Sequence, residues 1–200
     1  MKKLCGYLFV ALATLAATGC IDNDIPYPIV KLDILTLSAE GEKAPATINT
    51  SACTVDFELE EIIDIRKVEI KDVTFTEGAE ADVQFPGRFD MRNALYVNLT
   101  KYQTFEWTIR ATQNIERYFR VEGQIGESEI DAVSHIATAY VPMDYDMNNV
   151  RITAAKFGPK DITTYYPDPL SFTSFDGTVH HTMVSYHGDI EEMWTLKIIQ

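Results

Sequence analysis

Basic residues, cysteines and long apolar runs are all scarce in this 200-residue chain, and each shortage removes a class of function. Seventeen Lys and Arg stand against 30 Asp and Glu, a formal net charge of −13. A surface of that sign repels nucleic acid and anionic lipid headgroups, so neither is an expected partner. The cysteines are Cys5, Cys20 and Cys53. With two of them inside the first twenty residues, the rest of the chain holds one thiol and cannot close an internal disulfide. The stretch TSACTVDFE around Cys53 has no basic neighbour to favour the thiolate, so Cys53 reads as a small buried hydrophobe rather than a nucleophile. One apolar run occurs, Leu4 to Leu15, and it is shorter than the roughly 20 residues that a bilayer span needs. No HExxH, no glycine-rich phosphate loop and no nucleophile-elbow serine is present, and no cofactor is implied.

What is there begins with the N-terminus. Lys2 and Lys3, the apolar run, and small residues up to Gly19 have the layout of a secretory signal over residues 1–19. Its end, Ala17-Thr18-Gly19-Cys20, resembles the lipobox of bacterial lipoproteins, which implies lipidation of Cys20 and attachment to a membrane through that lipid. Removing Lys2 and Lys3 with the acid-free signal takes the charge from −13 to −15. Residues 20–28 then form a tether stiffened by Pro26 and Pro28. Asp22 and Asp24 resemble the acidic signal that sends Bacteroidetes lipoproteins to the exterior face of the outer membrane, which is the expected location.

The remainder is written twice. With an offset of 82, Ile48 meets Ile130, Asn49 meets Asp131, Asp64 meets Asp146, Val68 meets Val150, Ile70 meets Ile152 and Phe75 meets Phe157. EWTIRA (106–111) and MWTLKI (193–198) align at 194 − 107 = 87, so the second copy carries 87 − 82 = 5 extra residues, placed most naturally in GPKDITTYYPDP. Two copies of about eighty residues are tandem domains rather than a solenoid. Within them TVDFEL, KVEIKDVTF, LYVNL, EWTIRA, ATAYV, VRITAAKF, HTMVSY and WTLKI are β-branched and aromatic, mostly alternating, and separated by turn residues. No window offers a long amphipathic helix. The fold class expected is all-β: two tandem immunoglobulin-like β-sandwich domains, 29–114 and 115–200, joined by the short linker TQNIE after the lipoprotein signal peptide.

The run FEWTIRATQNIERYFRVEGQIGESEIDAVSHIATAYVP, with KFGPKDITTYYPDP and the closing EEMWTLKI, resembles the N-terminal region of Bacteroidetes surface lipoproteins that carry a C-terminal candidate carbohydrate-metabolism domain. The resemblance implies a pair of sandwich modules and association with a polysaccharide or with glycan-utilisation surface proteins. The sequence stops at Gln200, directly after the last expected strand, so that C-terminal domain is expected to be absent here.

Few residues suggest chemistry. Phe105, Trp107 and Ile109 share one strand face, as do Trp194, Leu196 and Ile198, which assigns both tryptophans to cores. Tyr165 and Tyr166 lie in the proline-bounded stretch of the second copy, where exposed rings could stack on a sugar while Asp161 and Asp168 accept hydroxyl hydrogen bonds. The bland role is the preferred one, with one tyrosine capping the core and the other covering the domain junction. His180 and His181 fall on opposite strand faces and cannot chelate one ion together, and His187 with Asp189 sits near a turn; no metal is expected. Glu60-Glu61 and Glu191-Glu192 read as solvated turns rather than a glycosidase dyad. The expected function is therefore a non-catalytic spacer or interaction module, with carbohydrate capture through the Tyr165/Tyr166 loop as the alternative.

Overall fold

A computed structural model describes residues 30–200. The expected signal peptide, the tether with Asp22 and Asp24, the lipidation site Cys20 and residue Ile29 lie outside the described residues. The chain is all-β, with strands gathered into sandwich-like modules. The first copy contributes β1 (Ile34–Ala39), β2 (Thr47–Asn49), β3 (Thr54–Leu59), β4 (Val68–Phe75), β5 (Glu80–Ala81), β6 (Gly87–Phe89), β7 (Leu95–Thr100) and β8 (Thr104–Gln113). The second contributes β9 (Tyr118–Val121), β10 (Glu129–Asp131), β11 (Ile136–Tyr140), β12 (Ile152–Lys156), β13 (Thr164–Tyr166), β14 (His180–Tyr186) and β15 (Ile190–Ile199). Two single turns of 3-10 helix, Ile65–Lys67 and Pro169–Ser171, are the only helical pieces among the described residues. No helix among them is long and apolar enough to cross a membrane.

Alternation explains the strands. Along β8 the inward residues Trp107 and Ile109 are fully buried while Glu106 and Arg110 face out, and β15 repeats the pattern with Trp194, Leu196 and Ile198. Each fully buried aliphatic or aromatic side chain contributes about 1.5–3 kcal/mol. They divide into two clusters, one around Trp107 drawn from residues 32–109 and one around Trp194 drawn from 119–198.

The internal repeat extends to the ladders. The sheets run β2-β3-β8-β7-β5 and β10-β11-β15-β14-β13, the same order twice. Val73 pairs with Leu37 and Ala155 with Phe119, Ile70 with Ala39 and Ile152 with Val121, all at the offset of 82 and with the same register shift between them. The parallel pairs Thr54/Thr108 and Ile136/Thr195 also correspond. Even the turns repeat: Asn49 Oδ1 accepts from the N–H groups of Ser51 and Ala52, as Asp131 Oδ1 does from Val133 and Ser134. Cys53 and His135 then hold matching left-handed φ values of 52° and 54°. Cys53 is half-buried against the first core rather than fully enclosed.

The five extra residues are not all where the sequence placed them. Trp107 pairs with Val97 and Trp194 with Thr182, an offset of 182 − 97 = 85 on that side of the hairpin. Three extra residues therefore precede Thr182, since 85 − 82 = 3, and the other two lengthen the last hairpin. Hairpins grow by cross-strand pairs without disturbing the core, so they absorb such an insertion readily. The first copy also has β6 covering β4, whereas no strand takes that place in the second; there Val150 N–H reaches Thr173 O at 2.8 Å instead.

Candidate functional site

The stretch read either as displaying two stacking rings or as capping the core is an edge strand, and strand alternation separates the two tyrosines. Tyr165 points inward: its ring meets Phe157 edge-on at 6.1 Å, and its hydroxyl accepts the Phe157 N–H at 3.1 Å. Burial raises the Tyr165 pKa above the usual phenol range. It caps the second core and cannot stack on a ligand. Tyr166 is 83 % exposed and covers no junction. Register sets it beside Met183, and Met183 beside the half-exposed Met193, on the outer face of the sheet. The Asp168 carboxylate accepts the Leu170 N–H at 2.9 Å and so caps the Pro169–Ser171 turn. Asp161 is exposed at a left-handed turn position, φ 65°. The four residues thus do not converge on one site.

The histidines also separate. His180 stacks on Phe172 at 4.2 Å and bonds Ser174 O, while His181 on the opposite face meets the Thr195 hydroxyl at 3.1 Å. Among the described residues no group of three or more His, Cys, Asp or Glu is arranged to hold a metal ion.

The acid pairs carry the largest corrections. Glu61 is no solvated turn: its carboxylate binds Lys156 Nζ at 2.7 and 3.0 Å and the Lys160 N–H at 3.0 Å, with side-chain exposures of only 19 % and 11 % for Glu61 and Lys156. Lys156 also donates to Glu116 O at 2.9 Å. Burial alone would raise the Glu61 pKa, yet these donors together hold it below the ordinary carboxylate value. A second bridge runs through Arg66, whose guanidinium binds Asp64 and, across the repeat boundary, Asp189 at 2.6 and 3.0 Å. Hydrogen bonds from Arg66 pull Asp64 down to about 2. The connection between the copies is pinned too, because Gln113 Nε2 donates to the Glu60 and Ile63 carbonyls at 2.9 and 2.7 Å. The result is a double ionic clamp between the copies, one bridge between largely shielded charges, Glu61 and Lys156, and one that ends on the exposed Asp189.

Glu192 is the other miss. It accepts the Tyr186 hydroxyl at 2.6 Å and the Trp194 indole N–H at 3.0 Å, and it is only 16 % exposed. Burial and this carboxylate push the Tyr186 pKa well above the usual phenol range. In the first copy the matching Trp107 N–H donates instead to Leu32 O at 2.9 Å. Glu192 therefore supplies the acceptor that a backbone carbonyl supplies to its counterpart. The signal that marks it in sequence is its place two residues before a buried Trp.

Together these features define an all-β protein of two repeated sandwich modules joined by a charged junction. No family model matches the chain, and no curated protein matches it. Among solved structures it is similar to a candidate glycoside hydrolase from Bacteroides thetaiotaomicron, with 16 % identity and a TM-score of 0.40 over 53 % of this chain. The match spans 33 % of that protein's chain, and a likeness this slight carries no functional argument.

Proposed function

We propose that this chain is a lipid-anchored lipoprotein of the outer-membrane surface, acting as a non-catalytic spacer or interaction module in a glycan-utilisation setting. The observation that supports it best is the double clamp, Glu61–Lys156 and Asp64–Arg66–Asp189, which ties two otherwise separate cores into a stiff unit. A spacer needs a fixed reach, and the short linkage together with the largely shielded Glu61–Lys156 pair favours one. The sequence adds the anchor, Cys20 behind an apolar run, and an acidic tether. Capture of polysaccharide through the Tyr165/Tyr166 loop is the weaker reading, because only Tyr166 has a free ring.

The test is a distance measurement on the full chain with Cys5, Cys20 and Cys53 replaced by Ser and spin labels at Tyr102→Cys and Val133→Cys, two tips that are 84 % and 92 % exposed. A rigid spacer gives one narrow distance distribution, which broadens when Lys156→Met and Arg66→Ala are combined. A broad distribution in the clamped protein would sink the spacer reading. Membrane fractionation of Cys20→Ala tests the anchor: the variant should leave the outer-membrane fraction, and retention there would refute lipidation at Cys20.

A further inference from the structure

We propose that a cleft on the outer face of β9 is a subsite for one uncharged saccharide unit, recognised through its vicinal hydroxyls. The inference goes beyond the spacer reading and stands without it. Along β9, Phe119 and Val121 enter the core while Tyr118 and Arg120 face outward. The segment 122–128 folds back beside them. It is held by Gln124 Oε1 accepting the Val121 N–H at 2.7 Å, Gln124 Nε2 donating to Gly126 O at 2.7 Å, and the Ser128 hydroxyl donating to Phe119 O. Between strand and segment lies a cleft of about 150 Å³, lined by Glu116, Arg117, Tyr118, Arg120, Gln124 and Glu127 among others. At about 30 Å³ per water that is some five waters, room for a single ring and not for a drug-sized ligand.

Gln124 and Ser128 spend their hydrogen bonds on the segment itself, so the capacity left for a ligand lies with the charged side chains. Among the described residues neither guanidinium is ion-paired, and neither the Glu116 nor the Glu127 carboxylate is. Arg120 rests over the Tyr118 ring at 5.0 Å, which orients its fork without using its N–H groups. Arg117 is fixed by a 2.7 Å bond from Nε to Phe157 O, with a longer one from Nη1 to Ile115 O, so Nη2 stays available. Two cations and two anions around one opening sum to zero. Such a lining suits a ligand whose every polar group both donates and accepts, which describes a diol. Hydrogen bonds to charged partners are also the stronger kind. An anionic ligand would instead meet two carboxylates on a chain of net charge −13. The site belongs to the second copy alone. At the offset of 82 the positions of Arg117, Tyr118 and Arg120 are Leu35, Thr36 and Ser38, and the Thr36 hydroxyl is already bonded to Thr74 at 2.6 Å.

The experiment is titration calorimetry of the full chain with neutral gluco-, manno-, galacto- and xylo-oligosaccharides of four to six units, beside oligogalacturonate as the acidic arm. At least one neutral oligosaccharide should bind. Arg120→Ala and, separately, Glu127→Gln should each weaken it by about tenfold or more, the loss expected for one charged hydrogen bond. Both side chains are exposed, so the melting temperature should not move and lost binding is not lost folding. Tyr166→Ala should leave affinity unchanged. The proposal fails if no neutral oligosaccharide binds, if both cleft variants bind as the parent does, or if oligogalacturonate binds in preference.

Discussion

Replacing Lys156 by Met isolates the energetics of the junction. The ammonium is 11 % exposed and gives three hydrogen bonds, two to Glu61 and one to Glu116 O. Removing one partner of a buried pair costs about 3–5 kcal/mol, because the other charge is stranded. Glu61 keeps the Lys160 N–H and about a fifth of its exposure, so the cost here falls at or just below the lower end, about 2–3 kcal/mol. For a chain of this length that lowers the melting temperature by about 5–10 °C. Removing the second charge as well, in Lys156→Met/Glu61→Leu, should bring stability back to within about 1 kcal/mol of the parent, since a packed apolar pair replaces the ion pair. The assay is urea unfolding of the four proteins of this cycle, read by tryptophan fluorescence at low salt and again at high salt. Half-buried charges are little screened, so the cost should persist in salt. The reasoning is refuted if the single variant loses less than about 0.5 kcal/mol, the value of a surface pair, or if the two single costs simply add in the double variant.

Three further outcomes follow from the same geometry. Asp64 and Glu61 both have folded pKa values below their unfolded ones, so their stabilisation is present above about pH 4–5 and is lost as pH falls through the folded values, near 2 for Asp64; acid titration of Asp64→Asn should show a shallower decline below pH 5, and an unchanged profile would contradict the assignment. For Asp64 the stabilisation lost is at most about 2 kcal/mol. Trp107→Phe should cost about 2–4 kcal/mol, because it empties part of a fully buried site and strands the Leu32 carbonyl, which denaturant unfolding measures directly. Tyr165→Ala should cost about 3 kcal/mol or more through the lost Phe157 contact, whereas Tyr166→Ala should stay within about 0.5 kcal/mol of the parent; equal effects would mean that the alternation along β13 is wrong.

The repeat shows why some of this was legible and some was not. Hydrophobic alternation is a local signal, so TVDFEL, LYVNL and HTMVSY fall on β3, β7 and β14, and both tryptophans are found in cores. Seven strands escaped notice, and five of them, β2, β5, β6, β10 and β13, are two or three residues long, too short for a period of two to declare itself; they exist because a neighbouring strand offers hydrogen bonds. Length does not explain the other two, β1 with six residues and β9 with four. Reading TYYPDP as a loop therefore left undecided which tyrosine, if either, caps the core, and one ladder of three pairs assigns that place to Tyr165.

Charges posed a different problem, because most of the positions that matter are those where the two copies disagree, Asp64 opposite Asp146 being the exception. Arg66 stands opposite Asn148, Glu61 opposite Met143 and Lys156 opposite Thr74 at the offset of 82. Matched positions preserve the sandwich, and so they stand out when one copy is laid on the other. A junction between copies has no counterpart within either copy, so residues such as Arg66, Glu61 and Lys156 are released from the repeat and look like ordinary surface charge until both copies are in place. The cleft beside β9 obeys the same logic, since Arg117, Tyr118 and Arg120 replace Leu35, Thr36 and Ser38. In a duplicated fold, interfaces and binding groups are to be sought first among the mismatches, where the demands of the shared core are weakest.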